Sequence, residues 1–334
     1  MMSARTTGST TDFAQVSAVD NLNQMHALRF EHVTKSYGHD VVVDDLSFTV
    51  EPGRVTGFLG PNGAGKSTTM KILLDLASAD RGSATIGGTR YRELRDPART
   101  VGVILEHAYH PARSGRNHLR ILADSTGIPT ARIDEMLELV GLAHAADRHA
   151  GAYSLGMQQR LGLAAALLGD PPVLVLDEPG NGLDPQGIRD LRDLLRSRAA
   201  NGNTVFVSSH LLSEVEHLAD EVVVLDRGRL VTTGALSDLQ KAGTSVRTPF
   251  PEPLTQILEA AGGTVQVREQ GALLVRGLSI TEVGDRACGA GIALHELSPQ
   301  SGSLEDLFLG WTGDHKPRDV PTEPGRTETK ARLK

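Results

Sequence analysis

The densest chemistry lies in Gly60-Pro61-Asn62-Gly63-Ala64-Gly65-Lys66-Ser67-Thr68. This G-x-x-x-x-G-K-S pattern follows the short apolar stretch Val55–Leu59 and opens a stretch with helical spacing, Lys66–Ala77. Glycines let backbone N–H groups wrap a polyphosphate, and the positive end of the following helix favours its charge. The Lys66 ammonium is expected on the β- and γ-phosphates, and the Ser67 hydroxyl on Mg²⁺. The competing reading is a chance glycine-rich turn, which the full pattern between strand and helix leaves little room for.

A second group follows another apolar stretch: Val173-Leu174-Val175-Leu176, then Asp177-Glu178-Pro179. A carboxylate closing a buried strand suits Mg²⁺, directly or through water. Its neighbour can orient or deprotonate an attacking water. Alone, two acids opening a loop would mean little; downstream of a phosphate loop they are expected in the same site. His107, His110 and His118 match no strong zinc spacing, and the single cysteine, Cys288, reads as a small buried hydrophobe.

The elements that must position these groups follow from apolar patterning. Leu28–Val33 alternates like a half-buried strand, and Leu46–Val50 is a second candidate. Val55–Leu59, Val173–Leu176, Val205–Val207 and Val222–Leu225 are continuous apolar runs, as parallel strands buried on both faces require. Helical stretches such as Gln186–Ala200 separate them, so an α/β sheet covered by helices is expected. From about residue 107 to 168 the pattern is mostly helical, which suggests an inserted subdomain. After Gly234 the composition changes, and Pro249, Pro251 and Pro253 punctuate a boundary. A strand near Val246, a helix Leu254–Ala261, strands Thr264–Arg268 and Ala272–Arg276, a helix Thr281–Cys288 and a strand Ile292–Leu297 predict a βαββαβ module. Ser303–Leu309 reads as a last helix capped by Ser303. Residues 1–26 and 313–334 are polar and aperiodic and read as a disordered extension and tail; Met25 is an alternative start.

Composition narrows the class. The 334 residues are 39% hydrophobic and 22% charged, which excludes a globally disordered chain. One cysteine forms no intrachain disulfide, in keeping with a reducing compartment. The net charge of −7 argues against a general duplex binder, so no nucleic-acid partner is expected. No run of about 18 apolar residues reads as a membrane span, and the N-terminus has no apolar signal core. A cytoplasmic protein is expected.

Several ordered motifs now add up to a resemblance. Tyr153-Ser154-Leu155-Gly156-Met157-Gln158-Gln159-Arg160 precedes the acidic strand and resembles the signature loop of the ATP-binding-cassette (ABC) family, usually Leu-Ser-Gly-Gly-Gln. Asn181-Gly182-Leu183-Asp184 resembles its D-loop, and Ser208-Ser209-His210 its switch histidine. Tyr37 resembles the aromatic that stacks on adenine. The resemblance covers residues of about 28 to 234. Leu155 and Met157 depart from the usual signature, and Glu106 stands at the place of the family's Q-loop glutamine. These departures, and the Ser303–Leu309 end, are similar to the bacitracin- and daunorubicin-resistance type of exporter ATPase.

The resemblance implies a P-loop cassette with a RecA-like core, an antiparallel β subdomain and a helical subdomain, over residues 27–243. The small α+β module would take residues 244–312. It implies ATP and Mg²⁺ as ligands. Tyr37, Gly60, Asn62, Gly63, Gly65, Lys66, Ser67 and Thr68 of one chain would hold ATP against Ser154 and Gly156 of a head-to-tail partner, with Asp184 linking the two sites. Ser67, Asp177 and Glu106 would serve the metal, Glu178 the attacking water, and His210 the γ-phosphate and that water. A separate polytopic permease would be the membrane partner, at the cytoplasmic face of the plasma membrane, with antibiotic or lipid-like cargo. Two other readings stand beside this one: a non-transport cassette acting on ribosomes or nucleic acid, and a module that binds ATP as a switch without turnover. Membrane association separates the first from the exporter reading, and ATPase activity the second.

Overall fold

Alternating apolar and polar residues build β1 (Leu28–Tyr37) and β2 (Asp40–Val50), an antiparallel pair in which Phe30 faces Phe48. The molecule is described by a computed structural model over residues 26–105, 109–239, 243–268 and 272–300. The apolar run after β2 forms β3 (Val55–Leu59), buried at every position. The loop that follows it opens α1 (Lys66–Leu73). This helix ends earlier than its spacing predicts. The N–H groups of Leu76 and Ala77 fold back onto the carbonyl of Lys71, and Asp75 takes a positive φ of 54°, which closes the turn. β4 (Arg81–Ile86) pairs with the other side of β1, giving a three-stranded antiparallel sheet ordered β2-β1-β4.

β5 (Val101–Ile104) leads into the helical stretch, α2 (Gly115–Thr126), α3 (Ala131–Leu139) and α4 (Leu155–Leu167). Ser114 caps α2 and Ser154 caps α4, each accepting a bond from a backbone N–H three residues on. Then come β6 (Val173–Asp177), α5 (Pro185–Ala200), β7 (Thr204–Ser209), α6 (Leu212–Leu218), β8 (Glu221–Asp226) and β9 (Arg229–Ala235). The large sheet is ordered β5-β6-β7-β3-β8-β9, parallel except for β9. Its continuous apolar strands are buried because helices cover them.

One core gathers Leu119, Leu137 and Leu161 of the helical stretch and Leu195 of α5 against Leu174 and Leu176 of the sheet. A second joins the two sheets through Phe30, Phe48, Phe58 and Phe206.

Beyond residue 242 the order is βαββαβ. It consists of β10 (Gly243–Arg247), α7 (Pro251–Ala260), β11 (Thr264–Val267), β12 (Ala272–Arg276), α8 (Ile280–Gly289) and β13 (Glu296–Gln300). The sheet order β11-β12-β10-β13, with every neighbour antiparallel, is that of a ferredoxin-like module. Three details differ from the sequence pattern, the first being that Cys288, expected as a buried hydrophobe, is exposed on α8. Pro251 and Pro253 do not mark a break but stand in the first turn of α7, where a missing N–H costs nothing. The last strand lies later than Ile292–Leu297, because the ladder with β10 runs from Arg247↔Glu296 to Gly243↔Gln300. Ile292 and Leu294 instead pack beside the module's core on the way in. The proposed last helix, Ser303–Leu309, lies outside the described residues. Among the described residues no helix is long and apolar enough to cross a membrane.

Candidate nucleotide site

Three neighbouring parallel strands bring the motifs to one edge. Leu59 at the end of β3 pairs with Ser209 of β7, and Ser208 of β7 pairs with Asp177 of β6. The loop after β3, the acids at the end of β6 and the histidine after β7 therefore emerge side by side, at the carboxyl ends where α/β sheets bind ligands.

The phosphate loop is preformed. Gly65 takes a φ of 105°, and a Cβ there would stand 2.6 Å from the Val42 carbonyl oxygen, so only glycine fits. Lys66 is buried, and its Nζ donates to the carbonyls of Gly60 at 2.6 Å and Pro61 at 3.3 Å. Burial lowers the Lys66 pKa, and the Glu178 and Asp177 charges act against that shift. Asn62, Gly63 and Ser67 are exposed on the loop and Thr68 is half-buried.

Asp177 and Glu178 divide their contacts. The Ser67 hydroxyl donates to Asp177 Oδ2 at 2.5 Å, and the Ser208 hydroxyl donates to Asp177 Oδ1. Glu178 Oε1 faces Lys66 Nζ at 3.9 Å, while its Oε2 meets His210 Nδ1 at 2.6 Å. Ser67 and Asp177 thus form a hydroxyl–carboxylate pair, and Glu178 and His210 a carboxylate–imidazole pair. The first pair can ligate a hard cation; the second can orient and deprotonate water.

The signature residues lie elsewhere. Ser154 and Gly156, at the start of α4, line a recess with Gly182, Leu183 and Asp184. None of Lys66, Ser67, Asp177 or Glu178 lines that recess. Asp184 caps α5, accepting from the Gly187 N–H at 3.0 Å, and receives Arg160 Nη2 at 3.4 Å. Tyr37 is exposed near the end of β1, with Lys35 Nζ 5.2 Å from its ring centroid. Glu106 lies outside the described residues.

Two supporting groups are not singled out by the motifs. Ser208 holds Asp177 and also accepts the Glu178 N–H on its hydroxyl at 2.9 Å. Gln159, buried on α4, donates from Nε2 to the Glu178 carbonyl at 3.3 Å. The serine had a signal in its place two residues before His210. The glutamine had none, because its burial depends on how α4 packs.

Fold and site define a P-loop nucleoside-triphosphatase cassette. The ABC transporter family model matches residues 43–181, and a domain of unknown function (DUF8746) matches residues 242–305. The uncharacterised ABC transporter ATP-binding protein YhcH of Bacillus subtilis is 36% identical over 303 residues, covering 86% of this chain and 97% of that protein. The bacitracin transport ATP-binding protein BcrA of Enterococcus faecalis is 35% identical over 299 residues, covering 85% of this chain and 95% of that protein. A solved ATP-binding subunit of an ABC transporter is 30% identical with a TM-score of 0.59, covering 64% of this chain and 91% of that chain. The chain belongs to the ABC transporter family, as an ATP-binding and ATP-hydrolysing subunit.

Proposed function

We propose that this chain powers a separate membrane permease as an exporter ATPase, acting as a head-to-tail pair at the cytoplasmic face of the plasma membrane. The observation that carries the pairing is the separation of the two motif sets: Ser154 and Gly156 line a recess with Asp184, away from Lys66 and Glu178. For the signature end to meet a γ-phosphate, the phosphate has to be held by another copy.

In that pair Tyr37 stacks on the adenine and the loop from Gly60 to Thr68 wraps the phosphates, with Lys66 on the β- and γ-groups. The Ser67 hydroxyl against Asp177 is the donor set that suits Mg²⁺, which takes one or two protein oxygens and fills its shell from phosphates and water. These two residues would hold it, Glu106 contacting it or its water, and it would neutralise charge on the phosphates. Glu178 takes the proton of the attacking water, whose oxygen bonds to the γ-phosphorus as the bond to ADP breaks. His210 holds that glutamate and the γ-phosphate. Ser154 and the Gly156 amide of the partner complete the cradle. Asp184, at the cap of α5, links the sites. Closing and reopening the pair is the two-state motion delivered to the permease through the helical stretch.

The cargo reading rests on the similarity to BcrA, whose name gives bacitracin transport. An amphipathic, antibiotic or lipid-like molecule is the class it supports. The test is purification of the tagged chain from gently solubilised membranes, with mass spectrometry of what accompanies it. A stoichiometric polytopic membrane protein is expected. Ribosomal proteins in its place, across several mild detergents, would reject the exporter reading.

A further inference from the structure

Glu178 has a backbone φ of 51°. That left-handed region is uncommon for a residue with a side chain and persists only where surrounding contacts over-determine it. The Glu178 N–H reaches Ser208 Oγ at 2.9 Å and the Ser208 carbonyl at 3.3 Å. Its carbonyl accepts the Asn181 N–H at 3.2 Å and Gln159 Nε2 at 3.3 Å. Ser208 and Asn181 belong to the same strand-end cluster. Gln159 does not: it stands on α4, the helix that begins at Ser154.

The Gln159 side chain is only 3% exposed, on a helix whose other buried residues are Leu161, Leu163, Ala164, Ala166 and Leu167. An amide so placed is costly unless it is bonded, so the position selects for the bond it makes. Through that bond the turn that aims the Glu178 carboxylate at Lys66 and His210 is fastened to α4.

We propose that Gln159 is a positioning residue for hydrolysis. It clamps the Glu178 peptide in its left-handed turn, and so ties the catalytic carboxylate of one nucleotide site to the helix whose N-terminus, little more than one turn away, serves the second site. The inference rests on the head-to-tail pairing and on Glu178 acting on water, as proposed above. Capture of phosphate by Ser154 shifts α4 and is felt at Glu178 of the same chain, which gives the two sites a direct mechanical connection.

The test uses the full-length chain and Gln159→Met, which keeps the length and loses the donor. Turnover is expected to fall on the order of 10²-fold, the scale of a misplaced catalytic group. ATP affinity should stay within about threefold, since no phosphate contact is removed. Mixed pairs, purified through two tags, then carry Lys66→Ala in one chain so that a single site works. The loss should appear when Gln159→Met is in the chain that supplies Glu178 to the working site, and not when it is in the chain that supplies Ser154. Equal loss in both placements, or normal turnover while Glu178→Gln is inactive, overturns the proposal. Normal turnover by Glu178→Gln overturns the catalytic assignment itself, and this inference with it. If Gln159→Met does not fold, Gln159→Glu decides. Its protonated carboxyl regains a donor, so its turnover relative to the unaltered chain should recover as pH falls. No recovery overturns the proposal.

Discussion

His210 Nδ1 lies 2.6 Å from one carboxylate oxygen of Glu178, and the other oxygen faces Lys66 Nζ at 3.9 Å. Glu178 is thus suspended between an imidazole and the ammonium that a triphosphate needs. An arriving γ-phosphate competes for that ammonium and meets a like charge. Replacing Glu178 by Gln removes the like charge and the base together. Turnover is expected to drop by about 10²- to 10⁴-fold. ATP should bind at least as tightly as before, and the closed pair should accumulate. Phosphate release and nucleotide titration check both halves. Weaker ATP binding by Glu178→Gln would contradict the electrostatic account.

Leu155 replaces the usual signature glycine, and the structure shows what it touches. Gly182 has a φ of 78°, and a Cβ there would stand 2.5 Å from Leu155 Cγ. The signature and D-loop of one chain are therefore in side-chain contact. Gly182→Ala should destabilise by about 1–2 kcal/mol from its left-handed backbone alone, and more from the clash. Leu155→Gly removes the clash and leaves the strain. In denaturant unfolding the pair should show a coupling of about 0.5–3 kcal/mol. Strict additivity would mean that the two loops move independently.

The phosphate loop, the acidic strand end and the parallel strands were legible in the sequence because each is a local pattern. Val55–Leu59 and Ala272–Arg276 were read at the bounds that the structure gives. What pairs across distance was legible only where the family resemblance supplied it, as it did for Ser67 and Asp177 at the metal. Ser67 and Asp177 stand 110 positions apart, and only the strand order brings the hydroxyl to the carboxylate. Gln159 was one polar residue in a run of them until the packing of α4 buried it. Helix α1 stops at Leu73 through a backbone turn that apolar spacing does not encode, and β13 takes its bounds from its partner β10.

Phe206 of β7 meets Phe30, Phe48 and Phe58 with ring centroids 6.1, 6.0 and 5.1 Å away. These rings join the antiparallel sheet to the parallel one, two residues before Ser208. Phe206→Ala should cost about 3–5 kcal/mol, as truncation of a buried aromatic does. Phe206→Leu keeps much of the volume and should cost clearly less. Urea unfolding gives both values. A small effect of the alanine would show that the sheets are held together without this cluster.

Burial lowers the pKa of His118 from 6.5, and Arg113 adds to the shift; burial also lowers that of His26. The folded chain therefore binds fewer protons than the unfolded chain just below pH 6.5. Stability is full above that value and is lost as pH falls through it toward the folded pKa values. Asp170 works in a different window. Its bond to Arg198 lowers its pKa from 3.8, so its contribution is present above 3.8 and is lost only as pH falls further. The acid limb should show an early loss from the histidines and a later one from Asp170. His118→Gln should flatten the early part and leave the late part in place, whereas Asp170→Asn should do the reverse. Thermal unfolding from pH 7.5 down to about 2 reads both. An unchanged slope near pH 6 in His118→Gln would show that the imidazole is as easily protonated in the folded chain as in the unfolded one.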